Sequence, residues 1–235
     1  MELNFNNNYT VAIANSLIRG QQTMTIQESK LLYITISQIV KQDKDLKTYT
    51  TTIPQLAKFL DVSPKNLYRD IDKLTDNLMK RFVKVKQCSD KWKKFMWVSF
   101  CEFDNGQITI KLSDEIKPYV LELNKYYSQY LLGTLISFKS FYTSRMYQIL
   151  LCDMREKNVS EIEIKYSIEE LRGLFVIDSN KYKRPYNLIS KTVEVARNEL
   201  MNTPTANIII TDIIQNKEKT KGNPVTSVTI KATYK

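Results

Sequence analysis

Lys65, Tyr68, Arg69 and Lys73 follow one another at short helical steps, and so do Arg184, Asn187, Lys191 and Asn198. Residues three, four and seven apart return to one side of an α-helix, so each group reads as the polar face of a helix. Arginine can hold the O6 and N7 atoms of guanine, and asparagine the N6 and N7 atoms of adenine, from the major groove of duplex DNA. Apolar stripes occupy the opposite sides: Leu67, Ile71, Leu74 and Leu78 in the first segment, Ile189, Val193, Ala196 and Leu200 in the second. At 100° per residue, Lys65, Arg69 and Asp72 point away from the first stripe, with Tyr68 and Lys73 on its flanks. Asn187, Lys191, Glu194 and Asn198 oppose the second stripe, and Lys183 and Arg184 precede it. A solvated helix face would use the same residue types, so no single residue decides the matter; the two constellations in one structural frame do.

Further lysines cluster after each of these segments, as Lys84, Lys86, Lys91, Lys93 and Lys94, and as Lys217, Lys219 and Lys221. They suit phosphate contacts, which fix position without reading sequence. The formal charge of +10 is concentrated in the same places. Residues 64–101 carry ten Lys/Arg against four Asp/Glu, and residues 181–235 again ten against four, whereas residues 102–180 carry nine against twelve. A twice-repeated basic segment points to nucleic acid, because each neutralised phosphate releases condensed counterions. Trp92, Phe95 and Trp97 could stack on bases, but in a hairpin beside a helical core such side chains more often pack inside.

Catalysis is disfavoured. The chain has no histidine, which removes His-based metal nicking and most general-base schemes at neutral pH. Fourteen tyrosines are conceivable nucleophiles without an evident paired base, five glycines leave little material for a phosphate loop, and no metal-ligand cluster is spaced along the sequence. No catalytic residue, cofactor or metal is therefore expected. Cys88, Cys101 and Cys152 show no CxxC spacing and read as reduced thiols. The Asn-rich start resembles no leader, and the longest apolar run, Tyr130 to Phe138, is too short to span a bilayer, so a cytoplasmic location without membrane contact is expected.

The elements that must position these residues occur twice. Ser29-Lys30-Leu31-Leu32 with Ile34, Ile36 and Ile39 recurs 115 residues later as Ser144-Arg145-Met146-Tyr147 with Ile149, Leu151 and Met154. Thr52-Ile53-x-x-Leu56-x-x-Phe59-Leu60 recurs at the same offset as Ser167-Ile168-x-x-Leu171-x-x-Leu174-Phe175. The two apolar stripes are offset by 122, and the seven extra residues are assigned to the loop Asp178 to Arg184. In the first half the spacing predicts a helix from Ser29 to Val40, a short helix capped by Thr52, and a longer one capped by Ser63 with Pro64 at its first position, ending near Arg81. Helices from Phe138 to Arg155, after Ser167, and from Pro185 to Met201 repeat the order. Strand signals follow: Phe82–Val85, Met96–Phe100 and Ile108–Ile110 beyond the Asn-Gly turn, then Ala206–Ile214 and Val225–Thr233. The expected class is α+β: two tandem duplicated winged-helix domains, 1–124 and 125–235, each a helical bundle with a helix-turn-helix and a β-hairpin wing. The join, near Tyr119 to Ser128, is expected to continue stiffly a helix beginning at Ser113.

Leu112-Ser113-Asp114-Glu115-Ile116-Lys117-Pro118-Tyr119, Ser144-Arg145-Met146-Tyr147-Gln148-Ile149-Leu150 and Val193-x-x-Ala196-x-x-Glu199-Leu200 resemble the theta-type plasmid replication initiators that carry two winged-helix domains and bind iterons. The resemblance spans about Asn15 to Thr233. It departs at Val195, where relatives often carry proline, a change expected to straighten the helix. It implies a protein that binds double-stranded direct repeats at an origin, helps open adjacent A·T-rich DNA, recruits the host initiator and replicative helicase, and exists as monomer and self-associated dimer, the dimer repressing its own gene. By position it implies DNA reading by Arg184, Asn187, Lys191 and Asn198. A winged-helix transcriptional regulator without a replication role is the alternative from the residues alone. Tyr9 to Ile13 is read as a strand whose free edge, with the first hairpin, could join a dimer.

Overall fold

Side-chain caps decide where the longest helices begin. The computed structural model describes residues 1–88, 90–218 and 224–235 and divides into two units, Met1–Ser137 and Phe138–Lys235. The first runs β1 (Thr10–Ala14), α1 (Asn15–Ile18), β2 (Gln21–Gln22), α2 (Ile26–Ile36), β3 (Thr48–Thr52), α3 (Ile53–Leu60), α4 (Pro64–Met79), β4 (Phe82–Lys86), β5 (Trp92–Met96), β6 (Val98–Asp104), β7 (Gln107–Leu112), a 3-10 turn at Asp114–Ile116, α5 (Lys117–Val120), β8 (Tyr127–Leu131) and α6 (Leu132–Ser137). Helix α2 opens at Thr25 rather than Ser29: the Glu28 amide donates to the Thr25 hydroxyl (3.2 Å) while the Thr25 amide donates to the Glu28 carboxylate (2.9 Å). It ends at Ile36, short of Val40. Thr52 caps α3 and Ser63 caps α4 as the sequence suggests: Thr52 forms the same reciprocal box, with Gln55, and Ser63 accepts from the Asn66 amide (3.2 Å) with Pro64 opening α4.

Helix α2 lies at the centre, with Leu31, Leu32, Ile34 and Ile36 buried. Leu56 and Leu60 of α3 and Leu67, Ile71 and Leu78 of α4 are buried with them. Glu28 is 1% exposed and is held by Arg81, whose Nε and Nη2 donate to its two oxygens at 2.7 and 3.1 Å.

The first unit departs from the expected single hairpin. Its helix-turn-helix is followed by two hairpins: β4–β5 pairs with the two-residue strand β2, and β6–β7 pairs with β3 in the order β3-β7-β6. The second unit, α7 (Phe141–Lys157), β9 (Glu161–Ser167), α8 (Ile168–Phe175), α9 (Pro185–Ile189), a π-helical turn at Ser190–Glu194, α10 (Val195–Asn202), β10 (Ile208–Lys217) and β11 (Val225–Tyr234), has one sheet of order β10-β11-β9. The wing of the first unit is therefore β6–β7, the counterpart of β10–β11, and β4–β5 is an addition. Register confirms the correspondence. Thr50 opposes Thr109 and Tyr49 opposes Ile110 in one sheet, while Lys165 opposes Thr229 and Ile164 opposes Ile230 in the other, an offset of 115 on β3 and β9.

The division anticipated at 124/125 falls inside the first unit, because β8 pairs antiparallel with β1 from Thr10↔Leu131 to Ala14↔Tyr127. This pairing also occupies one edge of the strand at Tyr9 to Ile13. The stretch after Ser113 winds only through the 3-10 turn and the four-residue α5, instead of continuing as a helix through the join.

Helices α3 and α8 end alike, at Asp61 (φ 56°) and Val176 (φ 51°), both left-handed. Aspartate tolerates that region; a β-branched side chain is strained in it. Val176 is 37% exposed, so little apolar burial is at stake. Val176→Asn should raise stability by roughly 1 kcal/mol, read from the urea midpoint; an unchanged or lowered midpoint would show that valine is unstrained there.

Candidate nucleic-acid interface

In both units the third helix of the winged-helix core, α4 in the first and α9 through α10 in the second, buries its apolar stripe and leaves its opposite face open. Leu67, Ile71 and Leu78 are buried and Leu74 half-buried, while Lys65, Asn66, Tyr68, Arg69, Asp72 and Lys73 are exposed. Leu188, Ile189, Val193, Ala196 and Leu200 are fully buried, and Lys183, Arg184, Tyr186, Asn187, Lys191 and Asn198 are exposed, with Glu194 half-buried. The structure thus gathers Lys65, Tyr68, Arg69 and Lys73 on one helix face, and Lys183, Arg184, Asn187, Lys191 and Asn198 along another.

Local contacts qualify two of these residues. Arg69 is forked onto its neighbour Asp70, with Nε and Nη2 donating at 2.8 Å each, and the guanidinium holds the Asp70 carboxyl below its usual range. Reading a base with Arg69 requires leaving this exposed pair. Tyr68, 47% exposed, sets its ring edge against Phe103 with centroids 6.4 Å apart. Its hydroxyl lies where a Cβ on Gly106 (φ 77°) would stand 2.7 Å away. Glycine at the wing tip therefore serves both the left-handed turn and the approach of Tyr68. Tyr68 braces the wing as well as facing outward.

The second helix is not the single α-helix expected from Pro185 to Met201. Ser190–Glu194 winds as a π turn, even though proline is absent at Val195, so the helix is not straightened as the departure from proline suggested. The extra residues explain it. Three residues, 61–63, separate α3 from Pro64, and nine, 176–184, separate α8 from Pro185. Six of the seven additional residues thus lengthen the turn, and the seventh lies inside the helix, where a π turn absorbs one residue without moving the buried stripe. Glu199 ties this helix to α7: its carboxylate accepts from the Lys139 amide and from the Ser140 amide (3.2 Å) at the start of α7.

Lys84, Lys86, Lys91, Lys93 and Lys94 do not lie on the wing. They belong to the added hairpin β4–β5 and the turn that joins its strands, and the wing tip is Asp104-Asn105-Gly106. On one face of the hairpin alternate Phe82, Lys84 and Lys86 opposite Met96, Lys94 and Trp92. Lys84 Nζ sits 4.7 Å from the Trp92 ring centre and Lys94 Nζ 3.6 Å from that of Phe82. Of the three aromatic residues considered for stacking, Trp92 is 53% exposed, Phe95 stacks on Tyr119 (5.3 Å), and Trp97 is buried. Lys217 is exposed at the end of β10; Lys219 and Lys221 lie outside the described residues.

Tyr186, 60% exposed, and Asn66 were not singled out by the sequence. They flank the opposed positions in the first turn of each helix, where helix-turn-helix proteins reach base edges. Cys88 is exposed, Cys152 buried, and burial pushes the Cys101 thiol up to about 11. Among the described residues, Cys152, Asp153 and Glu156 bring a thiol and two carboxylates within 4.8 Å, a distance that neighbours on one helical turn reach without an ion. No described helix is long and apolar enough to cross a membrane.

Comparison with known proteins agrees with this geometry. Residues 10–151 match the family model "Initiator Replication protein, WH1" and residues 167–232 match "Initiator Rep protein, WH2". A "Replication initiation protein" of Escherichia coli is 26% identical over 196 residues, 80% of this chain, and the chain spans 62% of that relative's length. The fold is similar to that in "Crystal structure of Pi initiator protein in complex with iteron DNA", with a TM-score of 0.69 and 14% identity, covering 98% of this chain and 99% of the other. With two winged-helix domains and both family models matched in order, the chain belongs to the initiator replication protein family.

Proposed function

We propose that this protein initiates plasmid replication by binding direct repeats in double-stranded origin DNA through both units. The single observation that carries the reading is the outward basic and amide face on each third helix, opposite a buried stripe. It is supported by the similarity to the Pi initiator, which was crystallised with iteron DNA. Arg184, Asn187, Lys191 and Asn198 are the main readers, Lys65, Tyr68, Arg69 and Lys73 the secondary ones. The hairpin lysines 84, 86, 91, 93 and 94, and Lys217, Lys219 and Lys221 at the second wing, grip phosphates. Binding deforms the duplex and opens adjacent A·T-rich DNA without cutting it, since deformation energy can supply local melting. The host initiator and helicase are then recruited. A dimer joined through the first unit represses the gene, and monomers act on the repeats.

The test begins with selection of a duplex from a randomised pool by the wild-type protein. Arg184→Ala and Lys191→Ala should each weaken binding to the selected duplex by roughly 1 to 3 kcal/mol, with little change on random DNA. Lys86→Ala should weaken both alike. Equal losses for the helix substitutions, or nicks or a covalent tyrosine adduct on the DNA, would defeat the reading.

A further inference from the structure

The nine-residue connection 176–184 must deliver the second reading helix, where the first unit uses three residues. A loop of this length leaves the entry of the following helix undetermined unless something fixes its backbone. One side chain does so. Arg172, in the last turn of α8, donates from Nη1 to the carbonyl oxygens of Asp178 (3.2 Å) and Lys181 (2.8 Å), and from Nη2 to that of Tyr182. Three carbonyls from one loop thus converge on one planar guanidinium, whose fixed fork of donors suits such an array. The loop is folded to allow it: Tyr182 is left-handed (φ 53°), the Lys181 amide donates to Asp178 O (2.9 Å), and the Asn180 amide donates to the Asp178 carboxylate (2.7 Å). Tyr182 is also hydrogen-bonded to Tyr142 of α7.

The duplication isolates what this arginine is for. At the offset of 115 that aligns α3 with α8, the residue matching Arg172 is the buried Ala57. The short turn of the first unit has no loop to hold, and no arginine stands there. Immediately beyond the clamped carbonyl of Tyr182 come Lys183 and Arg184, both exposed, and the Arg184 carbonyl accepts the Leu188 amide to begin the helix (3.2 Å).

We propose that Arg172 is a positioning residue for sequence reading: by gripping the loop backbone it fixes where Lys183 and Arg184 meet the DNA, without contacting DNA itself. The proposal rests on the reading that the second unit recognises a DNA sequence. Its test uses the full chain and the duplex that the wild-type protein selects from a random pool. Arg172→Lys keeps the charge at the end of α8 but replaces the fork with a single ammonium, which cannot reproduce the array. Its affinity for the selected duplex should fall about tenfold or more. Its affinity for random duplex, its salt dependence and its thermal midpoint should match wild type, and amide exchange over 178–184 should speed up. In the double variant Arg172→Lys/Arg184→Ala, the loss should be clearly smaller than the product of the single losses, because both act through one contact.

Equal weakening on selected and random duplex would make Arg172 a phosphate contact, and a lowered thermal midpoint with additive losses would make it a purely structural residue. Either result overturns the proposal, as does wild-type selectivity in Arg172→Lys. If the wild-type protein itself selects no sequence, the reading beneath the proposal fails instead.

Discussion

Raising salt from 50 to 200 mM should weaken binding to the selected duplex by about 10³- to 10⁵-fold, with log K falling against log salt at a slope of about −5 to −9. The expectation follows from two separate sources of cationic grip, the hairpin β4–β5 beside α4 and the basic approach to α9, each in a segment with ten Lys/Arg against four Asp/Glu. Six to ten phosphate contacts require both. Fluorescence anisotropy across a salt series measures the slope directly. A value near −2 would mean that one unit at most engages the backbone. Replacing Lys86, Lys91 and Lys93 together with alanine should flatten the slope by about 3 if each holds one phosphate. Lys84 and Lys94 are poorer choices for that test because each also lies over an aromatic ring.

Arg81→Ala should cost the first unit roughly 3 to 5 kcal/mol, as much as truncating a large buried side chain. Its partner Glu28 is 1% exposed, so removing the guanidinium strands a carboxylate where water does not reach it. The same carboxylate caps α2 through the Thr25 amide, and Gln55 shows in α3 that glutamine can do that job. Glu28→Gln combined with Arg81→Ala should therefore recover part of the loss, since the cap survives and no buried charge remains. Urea unfolding followed by tryptophan fluorescence reports on this unit, as Trp92 and Trp97 both lie in it. A loss under about 1 kcal/mol for Arg81→Ala would show that water or another cation compensates Glu28.

What could be read from the sequence was local. Thr52, Ser63 and Ser167 announce their helices because a cap and an apolar period lie within one short window, joined after Thr52 and Ser63 by a proline in the first turn. The exposed faces of α4 and of α9 to α10 follow from the same windows. Thr25 does not announce itself as a cap, because the apolar period stands out only from Ser29 onward, four residues after Thr25 opens its reciprocal pair with Glu28. Strand pairing was not legible. Strand β2 is two glutamines with no alternation to betray it, and β1 finds its partner more than a hundred residues onward. Lysine-rich β4 and β5 follow α4 directly, so chain order gives them the place of the wing, and only the pairing of β3 with β7 assigns the wing to β6–β7. The bond between Arg69 and Asp70, and the grip of Arg172 on three carbonyls, depend on rotamers that residue spacing does not encode.

The π turn at Ser190–Glu194 preserves what duplication has produced. It takes up one added residue in its own wider winding and leaves the turns on either side facing as before. The opening turns led by Pro64-Lys65 and Pro185-Tyr186 therefore keep one bearing against their buried stripes, and they differ in what they carry: lysine, asparagine, tyrosine and arginine in one, tyrosine and asparagine in the other. Two copies of one fold thus present two unlike faces. A palindrome would waste that difference, whereas a site with a head and a tail uses it, and a row of such sites would set every bound molecule facing the same way along the DNA.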